Sequence, residues 1–451
     1  MRLHKGTIND VLKLALPAVG EMILYMMIGV FDTMMVGKYG GNIAVSSVGI
    51  SSETIYTFAG IFISCGISIG ITSLVARNIG AKKYDKAEEY ATLGLAAAII
   101  ISIILGICYF ALSGPLLKLV GAEPEVIKLG SIYMKIASFG IILNMIMNAL
   151  NATLRGSGNT KTPLFASAIV NIINISLDYI LIFGKLGFPA LGTKGAAIAT
   201  SIAQTVGFLF IVYYCYKKSS IKIKFKYLRN LNKERLKALF ALSIPSSMQE
   251  GAFSISRLLC NFFIVSLGTI AFAANQITTT IESISFMPGW GFAVAATTLV
   301  GQKIGEGNDK KAKEYAYYSI ALGTLIMTLC SILFLALPKT LISLFISQSE
   351  NEVITLGSYC LMIAAIEQPF MAVSMIVGGA LKGAGDTKTP FKVSLFTNWV
   401  IRLPLMFIAV YLLHLSVTYV WIITSIQWAL DGILIYYAFR KKYDYISEEH
   451  C

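Results

Sequence analysis

Residues 151–163 read NATLRGSGNTKTP, and residues 377–390 read VGGALKGAGDTKTP. Gly156 aligns with Gly383 and Pro163 with Pro390, both at an offset of 227. Two further pairs keep nearly the same spacing. LVARNIG at 74–80 aligns with LVGQKIG at 299–305 at an offset of 225, and Pro17 in LALP aligns with Pro245 in LSIP at an offset of 228. The chain is therefore one unit written twice. Each quoted stretch ends a helical run with a Gly turn and opens the next on Pro, whose missing N–H costs nothing in a first helical turn. Although it contains Gly and Lys, it lacks the Gly-Lys-Ser/Thr ending of a phosphate-binding loop and does not follow a strand. It reads as a turn, and no ATP-driven chemistry is expected from it.

Outward from those turns the chain is apolar. Of 451 residues, 56% are hydrophobic and only 14% are charged, with a mean hydropathy of +0.71. A soluble chain carries about 25% charged residues, and one core could not bury so much apolar surface. A soluble enzyme, a disulfide-rich module and a disordered chain are excluded. Runs of about 20 apolar residues fall at 11–36, 43–76, 90–112, 126–153, 163–183, 195–216, 238–267, 271–301, 315–337, 353–381, 391–413 and 417–439. The fold expected is an all-α polytopic membrane protein: twelve transmembrane helices in two six-helix lobes. With six spans per unit, both lobes insert the same way up, as parallel repeats about an axis along the membrane normal. Residues 1–216 form the N-lobe, 217–237 a basic cytoplasmic linker and 238–451 the C-lobe. Pro17, Pro245, Pro288, Pro369 and Pro404 should bend or tilt their spans. Asp10, Glu21 and Asp32 interrupt the first run, so it is not read as a cleaved signal peptide.

The 37 Lys and Arg outnumber 24 Asp and Glu, and their placement explains why. The N-terminus, alternate loops and C-terminus hold 28 of them, against 5 in the other loops. The positive-inside rule then puts both termini in the cytoplasm. The charge is a topology signal, and nucleic acid is not an expected partner. The seven Cys (65, 108, 215, 260, 330, 360, 451) form no CxxC pair, so neither a disulfide framework nor a transition-metal site is expected. The three His (4, 414, 450) lie at the termini or in an outer loop, and no catalytic triad arrangement appears. The chain is not read as an enzyme.

Ionisable residues inside a span cost several kcal/mol and mark function by default. Asp32 lies near the outer end of the first span, and Glu21 is three turns earlier on nearly the same face. Span 5 carries Asn171, Asn174 and Asp178, while span 4 carries Asn144, Asn148 and Asn151. At 3.6 residues per turn each set makes one polar stripe. Such hard oxygen ligands suit Na+ or a proton held on a buried carboxylate. The plainer reading of the Asn residues is hydrogen bonding between helices. The second half carries Glu250 and Arg257 in span 7, Glu282 in span 8, Glu367 in span 10 and Arg402 in span 11. Glu250 and Arg257 share a face and could pair. Asp431 in the last span reads as structural. Met27 and Met35 in span 1, with Phe286, Met287 and Trp290 in span 8, could line a substrate path through thioether and cation–π contacts.

With these residues in view, the chain resembles the multidrug and toxic compound extrusion (MATE) family. The resemblance rests on DTMMVGKYG from Asp32, on the Leu74–Gly80 and Leu299–Gly305 pair, on MPGWGF from Met287, and on the paired turns ending in Thr-Lys-Thr-Pro. It covers roughly residues 8–440 and implies a two-lobed, twelve-helix antiporter that exports organic cations against a Na+ or H+ gradient. The family's N-lobe cation site maps onto Asp32, Asn148, Asn174 and Asp178, with Thr200 as the candidate for its threonine. Glu250, Glu282 and Glu367 fall in spans where family members place C-lobe carboxylates, although the spacing of Glu250 from Pro245 differs from some branches.

The expected protein is thus an inner-membrane secondary antiporter working by alternating access, with no resident cofactor beyond the coupling ion. Its partners are small organic cations and the bilayer. A single chain containing both lobes needs no second copy to form a cavity and reads as a monomer. The competing reading is a flippase for a lipid-linked saccharide. That cavity would need several Arg or Lys for pyrophosphate, and the spans offer mainly acids. A passive channel or transport-silent receptor fits the duplicated lobes less well.

Overall fold

The computed structural model describes residues 5–229, 232–346 and 350–449, with side chains described to residue 442 of the last stretch. His4, His450 and Cys451 fall outside these residues. The described backbone is helical, and no strand occurs among the described residues. Among the described residues, ten helices are long and apolar enough to cross a membrane. One of them, Lys5–Gly80, spans 76 residues and contains the first two expected runs. Gly41, at φ 62° and ψ −154°, turns the chain between them, a conformation that glycine adopts without steric cost. Lys233–Val265, 33 residues long but less apolar, supplies the remaining segment of the twelve.

Contacts divide the chain into two units, and the cuts fall at 19/20 and 247/248 instead of around the basic stretch. The first unit holds most of α1 (Lys5–Ala59). It continues through π-helical turns Gly60–Ile67 into α2 (Ser68–Gly80). It then adds α3 (Tyr84–Leu119), α4 (Pro124–Gly156), α5 (Lys161–Phe183), α6 (Thr193–Lys217), the short α7 (Lys226–Arg229) and the start of α8 (Lys233–Val265). The basic stretch belongs to this unit because α3 holds it. Glu88 Oε1 accepts from Lys222 N at 3.1 Å, and Thr92 Oγ1 accepts from Lys224 N at 3.2 Å. Lys224 and Arg235 form ion pairs with Glu88 and Glu89. Both glutamates are buried, which the sequence reading did not anticipate.

The second unit contains residues 5–19 and 248–449. Its elements are the rest of α8, α9 (Thr269–Gly305), α10 (Asp309–Ala336), α11 (Pro338–Ser343), α12 (Asn351–Gly383), α13 (Lys388–Leu395), α14 (Leu403–Phe407) and α15 (Val417–Glu449). Polar contacts tie the beginning of α1 into it. Thr7 Oγ1 donates to Glu314 Oε1 at 2.8 Å, and the Tyr315 hydroxyl donates to Asp10 Oδ2 at 2.7 Å. The run expected at 391–413 is one interrupted helix, with π-helical turns at Phe396–Arg402 and Ile408–Leu412. Pro404 lies between them and lacks the N–H that a regular ladder would use there.

The duplication reappears as matching contacts inside each unit. Thr72 Oγ1 donates to Ala152 O at 3.1 Å in the first, and Thr297 Oγ1 donates to Gly379 O at 2.8 Å in the second. A Cβ on Gly156 would lie 2.9 Å from Thr72 O, and one on Gly383 would lie 2.3 Å from Thr297 O. Small residues at these crossings let the helix backbones approach closely. The turns match too. Gly158 and Gly385 have φ of 87° and 82°, and the Thr162 and Thr389 amides donate to Asn159 and Asp386 at 3.1 and 3.0 Å.

Candidate functional site

In the first unit α1, α5 and α6 bring Asp32, Asn174, Asp178 and Thr200 together. Asp178 and Asn174 are fully buried, Asp32 is 3% exposed and Thr200 7%. Their positions follow from helix periodicity, because Asn174 and Asp178 are one turn apart on α5. Thr200 Oγ1 lies 3.0 Å from Asp32 Oδ2 and 2.9 Å from Ala196 O, so its single proton has two acceptors. Asn174 Nδ2 donates to Thr200 Oγ1 over 3.3 Å. The Asp32 and Asp178 carboxyls are within hydrogen-bonding reach of each other. Apart from this carboxyl–carboxyl approach, Asp32 Oδ1, Asn174 Oδ1 and both Asp178 oxygens are buried without a hydrogen-bond partner. No salt bridge to either aspartate occurs among the described residues.

Two adjacent carboxylates in a dry setting cannot both stay ionised without a counter-charge. A proton shared between them or a cation held by the orphaned oxygens would supply it. The donor set is hard: carboxylate, amide and hydroxyl oxygen. Among the described residues no group of three or more His, Cys, Asp or Glu could hold a metal ion. The neutral oxygens of Asn174 and Thr200 are therefore needed to complete a ligand shell for an alkali cation.

The remaining residues of the two polar stripes are sorted by their partners. Asn171 donates to Leu24 O and Ser167 O, both at 2.9 Å, and so links α5 to α1. Asn144 donates to Gln204 Oε1 at 2.8 Å, linking α4 to α6, and Asn148 donates to Asn144 Oδ1 at 3.1 Å. Asn148 has no direct bond to the aspartates among the described residues. Tyr56 bridges the layers, facing Asp32 on one side and bonding to Gln204 on the other. Tyr133 also faces the aspartates and accepts from Ser52 at 3.1 Å. Sequence reasoning passed over Tyr56, Tyr133 and Gln204, since a lone tyrosine or glutamine in an apolar span has no periodic partner to mark it. Glu21, placed by sequence on the face of Asp32, instead forms a buried ion pair with Arg155 at 3.1 Å. Arg155, two residues beyond the run expected at 126–153, sits in the last turn of α4.

The second unit pairs Glu282 on α9 with Glu367 on α12, within hydrogen-bonding reach and with the Arg402 guanidinium near both. Ser425 Oγ donates to Glu367 Oε2 at 2.9 Å, while Oε1 of this fully buried glutamate has no partner. Arg402 rides on the π-helical turns before Pro404. Glu250 on α8 is half-buried and makes no hydrogen bond or ion pair among the described residues, so the three glutamates do not form one cluster. Asp431 accepts from Ser374 at 2.5 Å and from Thr397 at 2.7 Å, which ties α15 to α12 and the interrupted helix. Of the apolar candidates, Met35 packs on the first unit's core and Phe286 on the second's. Phe286 and Trp290 meet edge to face at 6.3 Å, and Met27 and Met287 are half-buried.

The MatE family model matches residues 17–180 and 245–408. A probable multidrug resistance protein NorM of Thermotoga maritima is 32% identical over 415 residues, covering 92% of this chain and 88% of that protein. The multidrug resistance protein MdtK of Yersinia pseudotuberculosis is 26% identical and covers 88% of this chain and 86% of its own length. Among solved structures, a MATE protein in complex with MaL6 superposes with a TM-score of 0.90 at 23% identity, covering 98% of this chain and 97% of that one. An outward-facing multidrug resistance MATE transporter superposes at 0.88 and 23% identity, covering 97% and 96%.

Proposed function

The chain belongs to the MatE family, and from that premise we propose that it is a secondary antiporter, not an enzyme, exporting organic cations in exchange for Na+ or H+. The observation that carries this reading is the Asp32–Asp178 pair, buried with unpartnered oxygens and no salt bridge. Such a pair demands a proton or a small cation. Ion entry from outside fills it; substrate leaves as the lobes alternate. Each inward charge gains roughly 2.3 kcal/mol per 100 mV of membrane potential. The Asn144, Asn148 and Gln204 bonds support the site by fixing α4 against α6. Glu282 and Glu367 differ in having Arg402 beside them, which supplies part of the balancing charge that the aspartates lack. This contrast supports coupling in the first unit. A saccharide flippase would need basic groups where these carboxylates lie.

The protein is proposed to be a monomer in the cytoplasmic membrane with both termini inside, as the loop charges imply. The test is export of a fluorescent organic cation from proteoliposomes under an imposed Na+ or pH gradient. Wild type should export under one of the two, and Asp32→Asn or Asp178→Asn should abolish the gradient dependence while the protein stays folded. Export by either variant at the wild-type rate would remove the pair from the mechanism.

A further inference from the structure

In the first unit a cavity of about 360 Å³ opens between α5 and α6 at the end where α5 begins and α6 finishes. Lys161 and Lys218 stand over it, and Phe165, Phe210 and Tyr213 line its wall. Both lysines are exposed and form no ion pair among the described residues, and no carboxylate lines the cavity. Its floor is built: Asn159 Nδ2 donates to the Tyr214 hydroxyl at 3.0 Å and to Thr162 Oγ1 at 2.9 Å, fixing the α5 turn against α6. Phe165 and Tyr213 are each 60% exposed, on helices long and apolar enough to span a bilayer. Their exposed faces continue from the lysines along the helix surface that acyl chains would cover.

The duplicated unit provides an internal control. Asn159 aligns with Asp386 and Lys161 with Lys388 at the common offset of 227. In the second unit Asp386 accepts from Lys442 Nζ at 3.0 Å and from Thr389. Burial works to raise the Asp386 carboxyl, but bonds from Thr389 and Lys442 outweigh it and hold it below the ordinary aspartate value. The second unit thus has an acid, paired with Lys442, at the position where the first has a neutral amide. The first unit leaves two ammonium groups over an apolar-walled cavity.

We propose that this cavity is a binding site for an anionic phospholipid, whose phosphate sits between Lys161 and Lys218 and whose acyl chain lies along Phe165 and Tyr213. The chemistry is that of basic pockets at membrane-facing helix ends, with aromatic side chains at headgroup level. The site is independent of the aspartate pair and would hold whatever ion or substrate the protein carries.

Native mass spectrometry of the full chain, titrated in detergent with phosphatidylglycerol and separately with phosphatidylcholine, tests it. Wild type should retain one phosphatidylglycerol in preference to phosphatidylcholine. Lys161→Gln with Lys218→Gln should weaken that binding on the order of tenfold, as expected for two lysines near a charged headgroup. Lys388→Gln with Lys392→Gln in the second unit should leave it unchanged. Equal phosphatidylglycerol binding by wild type and the Lys161/Lys218 variant would overturn the assignment. Displacement of the lipid by inorganic phosphate at equal concentration would show a free-anion site and overturn it as well. A matching melting temperature for the variant and wild type separates lost binding from lost folding.

Discussion

At the residue scale, function is concentrated where hydrogen bonding is incomplete. Buried amide groups of the first unit donate across helices, as Asn171 Nδ2 and Asn144 Nδ2 do. Among the unpartnered buried atoms of the first unit, four oxygens lie together on Asp32, Asn174 and Asp178. Thr200 is the residue through which this cluster can be adjusted without removing a charge. Thr200→Ala deletes a neutral oxygen that would complete the ligand shell of a bound Na+, so the Na+ concentration for half-maximal export should rise about tenfold, the equivalent of about 1.4 kcal/mol. Thr200→Ser should restore it. Flux measured against ion concentration reads this directly, and an unchanged half-maximal value would place Thr200 outside the site. The aspartates were legible in the sequence because a carboxylate in an apolar run is expensive. Tyr56, Tyr133 and Gln204 were not, because each becomes polar machinery only by what it faces. The Glu21–Arg155 pair was hidden for a similar reason: an arginine next to a Gly turn looks like a loop charge until the helix is seen to bury it.

At the scale of elements, apolar run length located the spans, and the repeat located the helix crossings. What run length could not register is continuity. The first two spans are two helices separated only by the non-helical Gly41, and the run at 391–413 is interrupted by π-helical turns around Pro404. Both depend on local backbone geometry that composition does not encode. The crossings give a sharper expectation. An added methyl on Gly383 would meet the Thr297 carbonyl at 2.3 Å, and one on Gly156 would meet that of Thr72 at 2.9 Å. Neither carbonyl can step aside without moving a helix. Overpacking of this kind costs about 1–3 kcal/mol, and Gly383→Ala should lower the melting temperature in detergent more than Gly156→Ala does. Equal melting temperatures for both variants and wild type would mean that these backbones are not in close contact.

At the scale of the whole molecule, duplication has left two units with the same scaffold and different chemistry. The matched Thr–carbonyl bonds and Gly turns preserve the frame. One unit buries an aspartate pair; the other sets a buried Glu367 against a half-buried Glu282 beside an arginine. The sequence makes the duplication plain, and contacts divide the chain at 19/20 and 247/248. The basic stretch reads as a linker between the halves, and Glu88 and Glu89 bind it to α3. The first 19 residues were assigned to the first lobe, whereas those of them that are described pack with the second unit. Partners far apart in sequence decided both points.

The central claim is that the aspartate pair holds the coupling ion and gives it up in exchange for substrate. Reciprocity of binding makes this measurable at equilibrium. Purified protein in weakly buffered detergent solution, preloaded with radioactive Na+, would be titrated with a lipophilic organic cation while bound Na+ and proton release are followed together. Wild type should release one of the two ions as the organic cation binds, and the Asp32→Asn, Asp178→Asn double variant should release neither. Equal release from the wild type and the folded double variant, or no release of either ion from a wild type that binds the organic cation, would contradict the claim.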